Sequence, residues 1–259
     1  MCDGLDRAPH IEVYMAGYTF EIARCTACDF IFVVNPGPLT FHPVQEAPAE
    51  VPERARHRQI KRVCDHVLKQ GARAGGTYLV VEVGAGWGGL AQVFSRDRRY
   101  RFVGFEPSSS RAAYCRARGF DVREGLFVGH ESAGVADAVI FDNVLEHVED
   151  PETLVRAAVA SLRQGGLLVV IVPNLNDVRR FHRAWRKRHY WRPHNHINYF
   201  SGRDLERLFR RHGLKHRFFG LEAVGKMGDD LGLLPRVLAD LAGLHVLGLN
   251  CYGIKSGSG

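Results

Sequence analysis

"VEVGAGWGG", residues 81–89, stands between an apolar run and a helical pattern. "TYLVVEV" (77–83) reads as a buried strand, and "GLAQVFSRD" (89–97) as the helix after it. Glycines at such a junction let the backbone turn tightly and come close to a ligand, with a helix N-terminus behind it. Two spacings overlap here. Gly84, Gly86 and Gly89 fit G-x-G-x-x-G, whereas Gly84, Gly86 and Gly88 fit G-x-G-x-G with an acid, Glu82, two residues ahead.

Working outward, strand-length apolar runs alternate with helical patterns. "YRFVGFE" (100–106) is the next strand and "SSSRAAYCRARG" a helix ending at Gly119. "FDVRE", "DAVIFD" (137–142) and "LLVVIV" (167–172) continue the series. Before the last of these, Asp150 suits an N-cap and Pro151 the first helical position, Leu154, Ala158 and Leu162 recur every four residues, and the pair at 165–166 ends the helix. Near-continuous Val/Ile/Leu strands, each followed by a helix, mean a parallel sheet covered on both faces. Further on, Ser201 and Asp204 form a capping-box-like start, Leu205, Leu208 and Phe209 an apolar stripe, and Gly213 a stop. "KHRFFGLEAV" and "HVLGLNCYGI" read as two late strands around a helix, "LLPRVLADLAGL", which brings the count to about seven strands. Upstream, a helix over about 53–69 would cover the first strand with Ile60, Val63 and Val67.

An acid, Glu106, ends the second strand 22 positions after Gly84, where a carboxylate can accept hydrogen bonds from both hydroxyls of a ribose. This points to an adenosine ligand. One glycine spacing suits NAD and the other S-adenosylmethionine, and strand, loop and acid fit both.

The later motifs separate them. "DAVIFDNVLEHVEDPETLV", "LLVVIVPN", "VEVGAGWGG" with "VGFEPS", and "HINYFSGRDLERLFRRHGL" together resemble class I S-adenosylmethionine-dependent methyltransferases, over roughly residues 55–254. The last segment is similar to an H-I-x-y-F-S stretch found in one broad branch of that family. The resemblance implies an α/β, Rossmann-like sheet of seven strands, mostly parallel with the last antiparallel, helices on both faces and a small N-terminal appendage. It implies contacts from Gly84 and Gly86 to the methionine half of the cofactor with Glu82 nearby, Glu106 on the ribose, Gly125 and Leu126 beside adenine, and Asp142 and Asn143 beside the methionine portion. His147 belongs to the scaffold on this reading.

Methyl transfer from a sulfonium asks little of side chains. Holding donor and acceptor close and aligned supplies several powers of ten in rate, and a base is needed only for a neutral hydroxyl or a carbon acid. The favoured reaction is O-methylation of a small molecule, with a sugar-like carbon acceptor the nearest variant. An oxidoreductase and a noncatalytic cofactor-binding module are the readings from other classes.

The segment after the fifth strand closes the site in such folds, and residues 174–200 form a basic lid. Residues 179–192 hold six arginines and a lysine, Arg183 and Arg186 among them, with no acid and with Tyr190 and two tryptophans interleaved. Such a lid suits an anionic acceptor or carrier, or is a solvated helix with its aromatics buried. A nucleic-acid partner is disfavoured because no recognition motif accompanies the charge. Beyond the lid, "RPHNHINYFS" (192–201) supplies the candidate catalytic side chains His194, His196 and Tyr199. Alternate histidines on an extended segment face opposite ways, so one is expected at the pocket, His194 by preference. No third ligand stands nearby in sequence, which weighs against a metal in this run.

Residues 1–52 are expected to form a small, degenerate zinc-ribbon-like element and a proline-rich linker, with the methyltransferase domain over 53–259. Cys25 and Cys28 give two thiolates, half of a zinc-ribbon set; the stretch resembles the second knuckle of a cysteine-rich N-terminal element in some members of that methyltransferase branch, and a relic turn carrying two free cysteines, without zinc, is the favoured reading. The first knuckle is incomplete, since Leu5 stands where a cysteine would be expected after Cys2; His10 and His42 are the remaining candidates.

Composition bounds the rest. Six cysteines in 259 residues are no disulfide scaffold. Lys and Arg exceed Asp and Glu by 35 to 28, a net charge of +7, which by itself describes a basic surface. No basic start with an apolar run and no long uncharged apolar window is found, so a cytoplasmic setting without a membrane span is expected, as a monomer or homodimer.

Overall fold

The structure is a computed structural model. It describes residues 7–15, 17–37, 46–70, 76–129, 133–181, 190–219 and 248–256. In chain order the elements are β1 (Arg7–Met15), β2 (Tyr18–Cys25), β3 (Ile31–Val33), α1 (Ala55–Gln70), β4 (Tyr78–Val83), α2 (Gly89–Ser95), β5 (Tyr100–Glu106), α3 (Ser109–Arg116), β6 (Val122–Glu124), β7 (Ala136–Asp142), α4 (Pro151–Ser161), β8 (Leu162–Val172), β9 (Asn198–Tyr199), α5 (Gly202–Arg211), β10 (Leu214–Phe218) and β11 (Leu249–Lys255).

Seven strands form one sheet in the order β10-β11-β8-β7-β4-β5-β6. The pairs among β8, β7, β4, β5 and β6 are parallel, and β11 runs antiparallel to both its neighbours. This is the expected Rossmann-like methyltransferase sheet. The central strands read as unbroken apolar runs because successive side chains enter different cores. On one face Val80, Ala138, Ile140, Leu167 and Val169 pack with Ile60, Cys64 and Leu68 of α1. On the other, Val81, Val139, Phe141, Leu168 and Val170 pack with Val155 and Ala158 of α4 and with Leu205, Leu208 and Phe209 of α5. Buried Asp137 ties three strands: its carboxylate accepts from the Leu79 N–H at 2.7 Å and from Arg163 Nε at 2.5 Å.

Local signals account for the helix starts. Asp150 accepts from the Thr153 N–H at 2.9 Å with Pro151 at the first position, and Ser201 and Asp204 make a reciprocal capping box. The glycine pair does not end α4, however. The helix stops at Ser161, and β8 begins at Leu162 with an irregular register opposite Ala136/Ala138. Leu162 is fully buried, so packing drew the end of the helical repeat into the strand. Of the late pair, the strands are Leu214–Phe218 and Leu249–Lys255, and the helix expected between them lies outside the described residues.

The N-terminal segment forms a second sheet, β1-β2-β3-β9, antiparallel throughout. Its last strand is not N-terminal: Ile31 and Phe32 pair with Tyr199 and Asn198 of the histidine run. Phe20, Ile22, Ile31, Val33, Ile197 and Tyr199 make its core. Between β2 and β3 the chain reverses through Cys25–Asp29, with the Asp29 N–H on the Cys25 carbonyl at 2.9 Å and Asp29 at φ 62°. Among the described residues no helix is long and apolar enough to cross a membrane.

Candidate active site at the carboxyl ends of the parallel strands

The loop after β4 turns through three glycines of positive φ: Gly84 (76°), Gly86 (54°) and Gly88 (80°). At Gly84 the requirement is double, because an added Cβ would also lie 2.8 Å from Val144 Cγ2. The Gly84 and Ala85 N–H groups bond the Phe105 carbonyl, at 2.8 and 3.0 Å, which sets the loop against the end of β5. There Glu106, only 4 % exposed, accepts from the Gly86 N–H at 2.8 Å and from the Ser108 N–H at 3.0 Å. A carboxylate has about four lone-pair positions, so two remain for hydroxyl donors.

These groups border a cavity of about 590 Å³, within the size range of small-ligand sites. Gly84, Gly86, Glu106, Gly125, Leu126 and Asn143 all line it. Phe105, Phe127, Val148, Leu154 and Ala157 give it apolar walls, and Arg111 stands at the Glu106 side. His147, His194 and Asn195 complete the lining.

Two expected cofactor residues stand behind this lining. Glu82 is 3 % exposed, its Oε2 has no hydrogen-bond partner, and burial, with Asp142 and Glu106 nearby, holds its carboxyl well above the usual carboxylate range. Asp142 bonds Arg56 Nε of α1 at 2.9 Å and lies 3.5 Å from His57 Nε2. Sequence reasoning missed Arg56; nothing in a basic helix surface distinguishes an arginine that turns inward at the first helical turn.

Of the expected catalytic side chains, His194 lines the cavity, whereas His196 and Tyr199 do not. Tyr199 is 6 % exposed, its hydroxyl accepts from the Arg192 N–H at 3.3 Å, and its ring lies 4.8 Å from that of Trp191. Tyr190 is also off the cavity, with its hydroxyl on the Leu175 carbonyl at 2.5 Å. Arg183 and Arg186 lie outside the described residues.

His147, read as scaffold from the sequence, is among the cavity-lining residues. It ends a 3-10 turn, Leu145–His147, that presents it to the cavity, and its Nδ1 hydrogen-bonds the Asn195 carbonyl. The turn and the histidine run are laced together. The Ile197 N–H bonds the Glu146 carbonyl at 2.8 Å, and buried Asn198 donates its amide to the carbonyls of Leu145 (3.0 Å) and Val148 (2.6 Å). His196 does not line the cavity, and its ring lies 5.0 Å from that of His147. Beside them Glu146 is 1 % exposed, and burial first, then the charge of Asp142, pushes its carboxyl up to about 8. The absence of a third ligand along the run was therefore a limit of reading along the chain: two further ligand-type side chains reach His196 from the 145–147 turn.

Cys25 is buried and Cys28 half-buried at the β2–β3 reversal. Among the described residues no group of three ligand-type side chains includes either cysteine. His10 lies 5.8 Å from the Trp191 ring, and Cys2 and His42 are outside the described residues.

Comparison with known proteins bears on this arrangement. Residues 54–217 match the family described as "Methyltransferase domain". The C-methyltransferase NovU of Streptomyces niveus is 31 % identical over 146 residues, 53 % of this chain and 33 % of that protein, so the match spans a third of the relative's length. Among solved structures, the C-methyltransferase domain of the citrinin polyketide synthase superposes with a TM-score of 0.55 at 14 % identity, covering 78 % of this chain and 52 % of that one. Geranyl diphosphate C-methyltransferase of Streptomyces coelicolor A3(2) gives 0.50 at 14 % identity, covering 81 % and 85 %. A possible histamine N-methyltransferase of Thermotoga maritima gives 0.50 at 20 % identity, covering 77 % and 91 %. The glycine loop alone admitted two cofactors; the family match over the loop, Glu106 and the cavity wall settles on S-adenosylmethionine. The chain belongs to the class I S-adenosylmethionine-dependent methyltransferases.

Proposed function

We propose that this enzyme methylates a small molecule at an atom that must first lose a proton, with carbon the favoured acceptor and His194 the base. The observation that carries the reading is that His194 lines the same cavity as Gly84, Gly86 and Glu106. When bound, S-adenosylmethionine supplies an electrophilic methyl group on a sulfonium. Glu106 offers its two remaining acceptor positions to the ribose, the glycine loop lets the backbone approach the methionine half, and Gly125 and Leu126 border adenine. An imidazole titrates near neutral pH and can take a proton from a carbon acid or a hydroxyl. The apolar walls exclude water from that exchange.

Carbon is favoured over oxygen, the preference from sequence alone, because the related NovU is a C-methyltransferase. Oxygen transfer uses the same base and the same alignment. The basic segment 179–192 supports an anionic group on the acceptor or its carrier, for which Arg183→Ala and Arg186→Ala should raise KM in a salt-dependent way.

The test is incubation with 13C-methyl-labelled S-adenosylmethionine and a panel of nucleotide-linked keto sugars, β-dicarbonyl compounds and phenols. The chemical shift of the labelled methyl distinguishes carbon from oxygen. His194→Gln should lose turnover at least tenfold while S-adenosylhomocysteine binding, by calorimetry, stays within threefold. Full turnover by His194→Gln would remove this residue from the role of base.

A further inference from the structure

We propose that Glu146, His147 and His196 form a binding site for a divalent transition-metal cation at the wall of the methyl-donor cavity. One ligand atom from each residue lies within 4.8 Å of the other two. Ligands of one ion at about 2.1 Å stand roughly 3–3.5 Å apart, so side-chain adjustments of about 1 Å would close the shell. His147 Nε2 and Glu146 Oε1 are 3.8 Å apart, too far for a hydrogen bond and near the separation of two ligands on one ion.

The second observation is the carboxyl of Glu146. It is 1 % exposed, and apart from the residue's own backbone N–H neither of its oxygens has a hydrogen-bond partner. A buried carboxyl with so little donation is costly to keep. The Arg56 guanidinium relieves it only in part, because it is bonded to Asp142. A cation shared with two imidazoles would displace the carboxyl's proton and satisfy both oxygens.

The surroundings hold the three in place. His147 Nδ1 is engaged by the Asn195 carbonyl, which turns Nε2 toward Glu146; a backbone partner on the second ring nitrogen is the usual support of a metal-bound histidine. The Ile197 N–H on the Glu146 carbonyl and the Asn198 amide on Leu145 and Val148 fix the two segments that supply the ligands. Two imidazoles and one carboxylate suit ions of the Mn²⁺ to Zn²⁺ series over Mg²⁺ or Ca²⁺, which prefer all-oxygen shells. Three protein ligands leave positions open, and His147 lines the cavity, so an oxygen of the acceptor is the natural fourth ligand. That last role rests on the acceptor reading above; the existence of the site does not.

The experiment uses the full chain, stripped with chelator and dialysed, titrated calorimetrically with Zn²⁺ and Mn²⁺. Co²⁺ loading of the unmutated protein is followed by visible absorption, and S-adenosylhomocysteine is titrated in parallel. The expected result is one ion per chain, a Co²⁺ spectrum of nitrogen and oxygen ligands without thiolate charge transfer, affinity at least 30-fold weaker in Glu146→Gln and His196→Gln, and no change in Cys25→Ser/Cys28→Ser. The proposal is overturned if the unmutated protein takes up no ion, if its Co²⁺ spectrum shows thiolate ligation, or if folded Glu146→Gln and His196→Gln bind as tightly as the parent. The Co²⁺ spectrum needs no variant, so misfolding of either substitution leaves the test intact. Failure of S-adenosylhomocysteine binding would count against the cofactor reading, separately from the ion.

Discussion

Asn198→Ala tests how the acceptor wall is held. Asn198 is 6 % exposed, and its amide donates to Leu145 at 3.0 Å and Val148 at 2.6 Å, the two ends of the turn that carries Glu146 and His147. Truncation leaves two carbonyls without that donor. A buried polar group stripped of its partner costs about 1–3 kcal/mol, and water admitted to the small space returns part of it, so the pair should cost roughly 2–4 kcal/mol. For a chain of this size about 2–4 °C of Tm accompanies each kcal/mol, which gives a fall of about 4–16 °C. Differential scanning calorimetry at one fixed scan rate reads it. Asn198→Asp should be at least as damaging, because a carboxylate would face the same two carbonyl oxygens. Turnover should fall more than tenfold in Asn198→Ala, while S-adenosylhomocysteine affinity stays within threefold, since the glycine loop and Glu106 are held by their own bonds to the Phe105 carbonyl and the Gly86 and Ser108 N–H groups. A Tm within 2 °C of the parent would refute the reasoning, and an equal loss of cofactor affinity would refute the independence of the glycine loop from the 145–148 turn.

Glu106→Ala should weaken S-adenosylhomocysteine by about 10–100-fold in calorimetry, the equivalent of one to two charge-assisted hydrogen bonds; retention within threefold would take Glu106 off the ribose. Gly253→Ala places a Cβ 2.3 Å from Phe209 Cδ1 in the seam between β11 and α5, and overpacking of about 1–3 kcal/mol should lower the urea midpoint. Glu82 has a pKa raised above its unfolded value of 4.5, so the folded chain binds the extra proton and stability falls as pH rises from about 4.5 through the folded pKa. Glu82→Gln should flatten that slope above pH 4.5, and an unchanged slope would place the titration elsewhere.

Much of this architecture is written locally. Asp150 with Pro151, Ser201 with Asp204, and the apolar strands each declare an element within a few residues, and a parallel sheet follows from their alternation. The acid at 106 was legible for the same reason, as it sits at a fixed distance from the loop it serves. The acceptor wall was not. His147 reads as scaffold because a three-residue turn has no period to reveal which way its last side chain faces. His196 reads as a histidine without partners because they come from some fifty residues earlier. The pairing of β3 with Asn198–Tyr199 was equally hidden, since two residues are too few for an alternation signal.

That pairing also sets the order in which the molecule can be completed. Phe32 and Asn198 are partners in one ladder although 166 positions separate them. A contact of such high sequence separation carries a large loop-closure entropy and forms late. During synthesis the outer edge of β3 must wait, open, for the ribosome to deliver residue 199, and an open edge invites association with other chains. The acceptor wall is therefore among the last parts of the fold to close, and the cavity that precedes it is a half-site: able to offer the glycine loop and Glu106 before His194 and Asn195 have any backing.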